Sequence, residues 1–306
     1  MAAERFDHFM ARANAAYYAT HDFSADFTTA PELTQVFGEV LGAWAKTVWT
    51  MMGAPADVML VEAGPGRGTL MADALRVWPC ANVHFIEASP RLRAEQAKRV
   101  PGATWHDTLA TLPEGPMILL ANEFLDALPV RQFVRRADAW RELWVRDGAY
   151  VERATDIVLA DAPEGTKCEV NEAALAFCGV LARRGAVALF IDYGPMQSAP
   201  GSSVQAIRDG KYADPLAEPG QADITAHVDF SAIAARVNAQ GPVKQNAFLT
   251  ALGLFQRSDF LAQKHPEMAE KLKFSAQRLT APEAMGSLFK CLALYPEGFA
   301  TLPGFE

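Results

Sequence analysis

The chain has 306 residues, of which 50% are hydrophobic and 21% are charged, and this composition excludes a disordered or a fibrous protein. Its formal net charge of −8 gives no general attraction to nucleic acid or anionic lipid, so we expect neither as a partner. The four cysteines form no C-x-x-C pair, and we expect no bound metal.

The first residues and the hydropathy of the chain predict its compartment. The segment MAAERFDHFM lacks the basic start and the apolar run of a signal peptide, and its acids Glu4 and Asp7 argue against a mitochondrial transit peptide. No apolar run approaches the length of a membrane span. We therefore expect a cytoplasmic protein with reduced thiols and no membrane span, and its oligomeric state stays open.

Residues 1–55 are expected to form a helical extension that acts as a lid over a larger domain, residues 56–306. In the segment DFTTAPELTQVFGEVLGAWAKTVW, apolar side chains recur at helical spacing after Pro31. Thr28 or Thr29 is placed to cap this helix.

From Val58 onward, short apolar runs alternate with helical patterns. The predicted strands are Val58–Glu62, Val83–Glu87, Met117–Ala121 and Ala186–Asp192. The predicted helices between them are Leu70–Trp78, Pro90–Arg99 and Glu172–Arg184. This alternation predicts an α/β fold with a mostly parallel, doubly wound sheet and helices on both of its faces.

Two segments interrupt the alternation. Between about residues 130 and 155, two runs of alternating polarity predict an inserted β-hairpin with Asp147 and Gly148 in its turn. Residues 194–224 are rich in Gly, Pro, Ser and Asp, which predicts a long loop insertion with little regular structure.

The carboxyl-terminal part is predicted to be mainly helical. Asp229 is expected to cap a helix that continues to Gly241. Residues 248–289 are rich in helical patterns, and Leu288–Leu294 is expected to form a last strand.

The stretch VMLVEAGPGRGT joins a strand to a helix through glycines at alternate positions, Gly64, Gly66 and Gly68. Such a turn at a helix N-terminus lets the backbone approach a ligand closely. Dinucleotide-binding folds usually show G-x-G-x-x-G, so the alternate spacing favours a different adenosine cofactor. Glu62, two positions before the first glycine, belongs to the same candidate site. The alternative is a tight turn that binds nothing.

Two acids at later strand ends extend this candidate cofactor site. Glu87 lies about 20 residues after the last glycine, the offset at which an acid meets ribose hydroxyls in such folds. Asp107 is placed to accept a hydrogen bond from an exocyclic amine, with Trp105 or His106 nearby. The alternatives are a solvated strand end for Glu87 and a helix cap for Asp107.

Polar side chains follow the buried run Met117–Ala121 directly. Asn122, Glu123 and Asp126 come after this run, at the edge where open α/β sheets bind ligands. Two carboxylates three residues apart can share one face of a turn, and such a pair suits the planar cation of a guanidinium group. The alternative is a helix start at which acids are favoured by the helix dipole.

A histidine completes the list of candidate catalytic residues. His227, in TAHVDF, is a candidate to orient or deprotonate a nucleophile, or else it packs beside the helix start. Asp192 and Tyr193 end another strand and face the same expected cleft, although strand-end tyrosines often serve packing.

Six blocks resemble in order the sequences of the MidA family of methyltransferases, and the resemblance covers nearly the whole chain, from about Phe9 to Leu294. The blocks are DFTTAPELTQVFGE, EAGPGRGTLMADALR, NEFLDALPVRQF, FIDYG, DPLAEPGQADITAHVDF and MGSLFK. That family includes the mitochondrial arginine methyltransferase that assists assembly of respiratory complex I. The resemblance implies a Rossmann-like class I methyltransferase fold with S-adenosylmethionine at the glycine turn.

The resemblance also implies roles for individual residues. The family's cofactor positions fall on Gly64, Gly66, Gly68 and Glu87. Its loop after the fourth strand falls on Asn122, Glu123 and Asp126. Its N-terminal block, which covers the cofactor, falls on Asp26, Thr29, Pro31 and Glu32.

The leading hypothesis is an enzyme that transfers a methyl group from S-adenosylmethionine to an arginine nitrogen of a protein, such as a complex I subunit. Its candidate catalytic residues are Glu123, Asp126 and His227. Its candidate cofactor-binding residues are Thr29, Pro31, Glu62, Gly64, Gly66, Gly68, Glu87, Asp107 and Asn122. The alternatives are a non-catalytic assembly factor that binds the cofactor, a small-molecule methyltransferase and a nicotinamide oxidoreductase, against which the glycine spacing counts.

Overall fold

The computed structural model describes residues 2–21, 28–137 and 139–306, and within these ranges the chain forms fifteen strands and ten α-helices. The strands are β1 (Glu4–Arg5), β2 (Met59–Ala63), β3 (Val83–Ile86), β4 (Thr104–His106), β5 (Met117–Asn122), β6 (Arg131–Arg135), β7 (Trp140–Arg146), β8 (Ala149–Ala154), β9 (Lys167–Val170), β10 (Val187–Tyr193), β11 (Gln205–Arg208), β12 (Lys211–Ala213), β13 (Asp223–Thr225), β14 (Ala239–Lys244) and β15 (Phe289–Leu294). The helices are α1 (Phe6–Thr20), α2 (Ala30–Leu33), α3 (Gln35–Met51), α4 (Thr69–Val77), α5 (Pro90–Arg99), α6 (Glu172–Arg183), α7 (Phe230–Ala234), α8 (Gln245–Ala251), α9 (Leu254–Lys264) and α10 (Ala269–Thr280).

The centre of the molecule is a seven-stranded sheet in the order β14-β15-β10-β5-β2-β3-β4. The five strands from β10 to β4 are parallel to one another, and β15 lies antiparallel between β10 and β14. Each apolar run predicted to be a strand forms one. The predicted mostly parallel α/β sheet is therefore confirmed.

Helices cover both faces of this sheet, which explains why its strands are almost continuously apolar. On one face, alternate residues such as Leu60 and Leu120 pack with α3, α4 and α8–α10. On the other face, Val61 and Leu119 pack with α6 and α7. The helices bury both faces of the sheet, and the loops at the carboxyl ends of its strands are left to form the site.

A second, five-stranded antiparallel sheet contains β1, β6, β7, β8 and β9. The antiparallel strands expected between about residues 130 and 155 are present, since β6 pairs with β7 and β7 with β8. Asp147 and Gly148 form the predicted turn, with φ angles of +50° and +74°.

The expectation of little regular structure in residues 194–224 is wrong. β11, β12 and β13 form a three-stranded antiparallel sheet there, and Asp209 and Gly210, with φ angles of +51° and +69°, make its hairpin turn. The many turn-forming residues concealed three short strands, whose inward side chains Ala206 and Ile224 are buried against α1.

Two helix ends differ from those predicted. The helix expected after Thr28 or Thr29 is divided into α2 and α3, and the Thr34 side chain caps α3 by accepting a hydrogen bond from Val36 N at 3.3 Å. Asp229 does cap α7, through Ala232 N at 2.9 Å, but the helix ends at Ala234. The residues that follow pair with β15 as β14 instead, because an open sheet edge supplies their backbone partners.

In the ranges that the structure describes, every helix is too short or too polar to cross a lipid bilayer. Asp26, which the sequence assigned to a block covering the cofactor, lies outside those ranges.

Candidate active site

A cavity of about 790 Å³ lies at the carboxyl ends of the central strands. It is centred where the strand order reverses, between β2 and β5, the position at which open α/β sheets bind ligands. Ten of the predicted site residues line this cavity together: Thr29, Pro31, Glu62, Gly64, Gly66, Glu87, Asp107, Asn122, Glu123 and Asp126.

The glycine turn brings the backbone to one side of the cavity. Gly64, Gly66 and Gly68 have φ angles of +64°, +53° and +79°, which residues other than glycine adopt rarely. A Cβ atom on Gly64 would lie 2.8 Å from Cδ2 of Phe124, so the turn and the loop after β5 are in contact. Gly68 does not line the cavity but flanks the N-terminus of α4.

Glu87 is held in place by a buried amide that the sequence did not reveal. Its Oε1 accepts a hydrogen bond from Ser89 N at 2.7 Å, and its Oε2 accepts one from Gln96 Nε2 at 3.3 Å. The same Gln96 nitrogen donates to the Gly66 carbonyl at 2.7 Å. Gln96 is fully buried on α5, and only the structure shows that it joins the two parts of the candidate cofactor site.

Asp107 and its neighbours have different surroundings. Asp107 lines the cavity, is 75% exposed and forms an ion pair with Arg93. The two aromatic residues expected beside it point to the core. Trp105 donates to Gln96 Oε1 at 2.8 Å, and His106 hydrogen-bonds His84 at 2.9 Å.

Glu62 presents a buried carboxylate to the cavity. It is 3% exposed, burial raises its pKa well above the usual range, and its Oε2 has no hydrogen-bond partner among the described residues. An unpartnered buried acceptor calls for a donor, and a cation satisfies it best. The ammonium group of an amino-acid moiety, as in S-adenosylmethionine, fits this position.

The loop after β5 carries the predicted carboxylate pair. Glu123 has a φ of +52°, a strained value for a residue with a side chain. Its Oε1 accepts hydrogen bonds from Asn122 Nδ2 at 3.1 Å and from Ala30 N at 3.4 Å. Burial, and then the charge of Asp126, raise the pKa of Glu123 to about 8. Asn122 Oδ1 is buried and has no partner among the described residues.

Asp192, at the end of β10, holds this loop in position. Its Oδ2 accepts hydrogen bonds from the backbone N–H groups of Phe124, Leu125 and Asp126 at 3.2, 2.9 and 3.2 Å. Burial raises the pKa of Asp126 as well, and a hydrogen bond from the Tyr193 hydroxyl opposes that rise. The strand-end pair Asp192 and Tyr193 therefore belongs to the site through its contacts with the loop.

The three-stranded sheet of β11, β12 and β13, called the small sheet below, forms another wall of the cavity. Side chains on one face of β11 and β13 line the cavity: Gln205, Ile207, Asp223 and Thr225. The Tyr18 hydroxyl, from α1, donates to Asp223 Oδ1 at 2.7 Å. The sequence interpretation missed this wall, although the alternation of polar and apolar residues in ADIT was a weak signal of a strand.

His227 is not brought together with the other predicted residues. It is exposed and does not line the cavity. Its ring lies edge-on to that of Tyr193, with 5.7 Å between the ring centroids, and its backbone N–H donates to Ser203 Oγ at 2.8 Å. The geometry gives His227 a packing position behind Tyr193.

This chain is similar to a known family and to several known proteins. Residues 40–248 match the model of a family described as S-adenosyl-L-methionine-dependent methyltransferases. The mitochondrial protein arginine methyltransferase NDUFAF7 homolog of Drosophila melanogaster is 33% identical over 96% of this chain and 81% of its own length. The mitochondrial protein arginine methyltransferase NDUFAF7 of Homo sapiens is 33% identical over 92% of this chain and 76% of its own.

Solved structures are similar over nearly the whole chain. A superfamily member from Burkholderia thailandensis, crystallised with S-adenosyl-homocysteine, is 26% identical with a TM-score of 0.84. The match covers 99% of this chain and 90% of that one. A native crystal structure from the same organism is 27% identical, with a TM-score of 0.84, and the match covers 99% of this chain and 89% of that one.

The expectation of a cytoplasmic protein is wrong. The relatives from Drosophila melanogaster, Xenopus tropicalis and Homo sapiens are named as mitochondrial proteins. Localisation depends on a targeting signal that a receptor recognises, and composition is a weak guide to it.

The fold, the glycine turn beside a ligand-sized cavity and these similarities lead to one conclusion. The predicted Rossmann-like class I methyltransferase fold and the predicted cofactor, S-adenosylmethionine, are confirmed. The chain belongs to the family of S-adenosyl-L-methionine-dependent methyltransferases that includes the NDUFAF7 proteins.

Proposed function

We propose that this enzyme methylates a guanidinium nitrogen of an arginine in a protein, and that the protein is a subunit of respiratory complex I. The observation that supports this acceptor is the charge around the cavity. Of the described residues that line it, one is basic, Arg67, and seven are acidic: Glu32, Glu62, Glu87, Asp107, Glu123, Asp126 and Asp223. The relatives named as protein arginine methyltransferases support the same acceptor.

Cofactor binding is assigned to the side of the cavity next to the glycine turn. Glu62 would bind the ammonium group of the amino-acid moiety, and Glu87 would accept hydrogen bonds from the ribose hydroxyls. Asp107 is placed to accept a hydrogen bond from the adenine amine. Thr29 and Pro31, before and within α2, cover this side of the cavity.

Catalysis is assigned to the loop after β5. S-adenosylmethionine, when bound, supplies an electrophilic methyl group. A protonated guanidinium is a poor nucleophile, so the enzyme has to orient it and remove a proton. The carboxylates of Glu123 and Asp126 would bind two of its N–H groups and draw its positive charge toward them, away from the reacting nitrogen. Glu123 would accept the proton that this nitrogen loses as its bond to the methyl carbon forms.

The raised pKa values of the two acids support a cationic acceptor. A guanidinium that enters between Glu123 and Asp126 favours their charged forms and lowers both pKa values. A neutral acceptor would leave both pKa values raised.

A double variant, Glu123→Gln with Asp126→Asn, tests the proposed catalytic role. We expect it to lose methyl transfer by at least about 100-fold, because both acceptors of guanidinium protons become neutral amides. We also expect it to bind S-adenosylmethionine as the wild type does, which calorimetry measures. Full transfer in the double variant would contradict the role of the pair.

Mass spectrometry of the source proteome, with and without the gene, identifies the acceptor. We expect one methylarginine, on a complex I subunit, to disappear without the gene and to stay absent when only the double variant is expressed. The loss of a methyl mark from lysine or from a small molecule, with no lost methylarginine, would contradict the proposed function.

A further inference from the structure

The small sheet turns a polar face toward the cavity and an apolar face toward α1. Asp223 pairs with Ile207 and Thr225 with Gln205 across β13 and β11, and all four side chains line the cavity. The intervening Ile224 lies in the core with residues of α1. Because side chains alternate along a strand, this packing fixes which face the cavity receives.

Asp223 belongs to the same electrostatic cluster as the loop after β5. It is 3% exposed, and its negative charge contributes to the raised pKa of Glu123. Burial and the charges of Asp223 and Asp126 keep the Tyr18 hydroxyl protonated by raising its pKa, so Tyr18 is a permanent donor to Asp223. The Tyr193 hydroxyl, which hydrogen-bonds Thr225 and Asp126, links the wall to the loop.

Near the loop after β5, the buried polar atom that lacks a hydrogen-bond partner among the described residues is an acceptor. Asn122 Oδ1, buried and without a partner among the described residues, adds a neutral acceptor beside the carboxylates. A ligand that satisfies several acceptors at once has to bring several N–H donors. A guanidinium has five N–H donors in a rigid plane, whereas an ammonium has three at one point.

On the basis of the proposed function, we propose that Asp223 is a third binding group for the acceptor's guanidinium, supplied by the wall of β11 and β13 and oriented by Tyr18. In this arrangement Glu123 and Asp126 activate the acceptor, and Asp223 selects it. The enzyme then distinguishes arginine from its neutral analogue citrulline through Asp223.

A binding experiment separates selection from catalysis. The full-length enzyme, saturated with S-adenosyl-homocysteine, is titrated with N-acetyl-arginine amide and with N-acetyl-citrulline amide, and binding is followed by NMR. The variants are Asp223→Asn, Asp223→Glu and Tyr18→Phe. The matched control is Asp209→Asn, which removes an exposed carboxylate from the same small sheet without touching the cavity.

We expect Asp223→Asn to bind the arginine probe about tenfold more weakly, since a charged hydrogen-bond partner is lost, and to bind the citrulline probe as the wild type does. Asp223→Glu keeps the charge and should recover part of the affinity. Tyr18→Phe should lose about threefold, because it removes the hydrogen bond from the Tyr18 hydroxyl and keeps the Asp223 carboxylate. Asp209→Asn and the affinity for S-adenosyl-homocysteine should not change.

Three results would overturn this inference in different ways. Wild-type affinity for the arginine probe in Asp223→Asn removes the role of Asp223 and leaves the proposed function intact. Equal losses for both probes and for S-adenosyl-homocysteine, without recovery in Asp223→Glu, show that Asp223 only supports the fold. A wild-type enzyme that does not prefer arginine to citrulline contradicts arginine methylation itself, and this inference with it.

Discussion

Glu123 combines features that seldom occur together in one residue. Its backbone is in the left-handed region, its carboxyl group is buried, and a second acid lies in the same loop. Each of these features opposes stability, and such strain typically concentrates at functional sites. The spacing of Glu123 and Asp126 predicted the paired carboxylates. The positive φ was not predictable from the sequence, since residues other than glycine seldom adopt it and the contact of Glu123 with Ala30 forms only in the fold.

The raised pKa of Glu123 gives the reaction a defined pH dependence. The proposed role of Glu123 requires its carboxylate form, and its pKa without a bound acceptor is raised to about 8. We therefore expect kcat/KM to fall about tenfold per pH unit below about pH 8 and to level off above it. The profile of methyl transfer between pH 6 and pH 9.5 is the measurement. The residual rate of Glu123→Gln should not change with pH over this range, and Asp209→Asn should keep the wild-type pH profile. A wild-type rate that does not change over this range would contradict the role of Glu123 as proton acceptor.

The geometry of the site depends on β10, which holds the loop that follows the neighbouring strand β5. β10 lies beside β5, and its Asp192 accepts three backbone hydrogen bonds from the loop that β5 leads into. A single carboxylate thus fixes the direction in which Glu123 and Asp126 leave the sheet. The motif FIDYG showed Asp192 at a strand end, but its partners lie 66 to 68 residues away, beyond the reach of local patterns.

Removal of this anchor should affect stability and catalysis together. Asp192→Ala removes the partner of two buried N–H groups and of a partly buried one, so we expect the free energy of unfolding to fall by about 2–4 kcal/mol and kcat to fall at least about tenfold. Asp192→Asn keeps one oxygen toward the loop and should retain more of both. Denaturant unfolding and steady-state kinetics measure the two effects. An Asp192→Ala variant with the wild-type kcat would show that the loop keeps its geometry without the anchor.

Secondary structure was most predictable where one segment determines it alone. Buried apolar runs predicted the parallel strands, and Asp147 and Gly148 predicted the hairpin turn between β7 and β8. The predictions failed where tertiary contacts determine the secondary structure. Residues before Gly241 joined the open edge at β15, and the segment 205–225 formed a sheet because α1 covers it.

Asn14, a buried residue of α1, connects segments that lie far apart in the sequence. Asn14 of α1 donates to the Ile224 carbonyl at 2.7 Å and accepts from Ile224 N at 3.0 Å, across 210 residues of sequence. The same side chain donates to the Ala127 carbonyl at 3.3 Å, directly after Asp126 in the loop that follows β5. The buried side-chain amide of Asn14 therefore connects α1, the small sheet and the loop after β5. No sequence pattern predicted these contacts.

Asn14→Ala should loosen this side of the cavity. We expect the free energy of unfolding to fall by about 2 kcal/mol, because buried backbone groups of β13 lose their partners. Binding of the arginine probe should weaken more than binding of S-adenosyl-homocysteine, since Gly64 and Glu87 do not contact Asn14. Thr20→Ala, an exposed change on the same helix, serves as the control. Equal weakening of both ligands would show that Asn14 supports the whole cavity and not one wall.

The small sheet of β11, β12 and β13 stands apart from the seven-stranded sheet that carries the glycine turn. In evolutionary terms, the proposed role of Asp223 places acceptor selection on a segment that mutations can change without altering the glycine turn. Changes within residues 205–225 can therefore alter what is methylated while the methyl donor stays the same, and related enzymes can diverge in their targets without rebuilding their core.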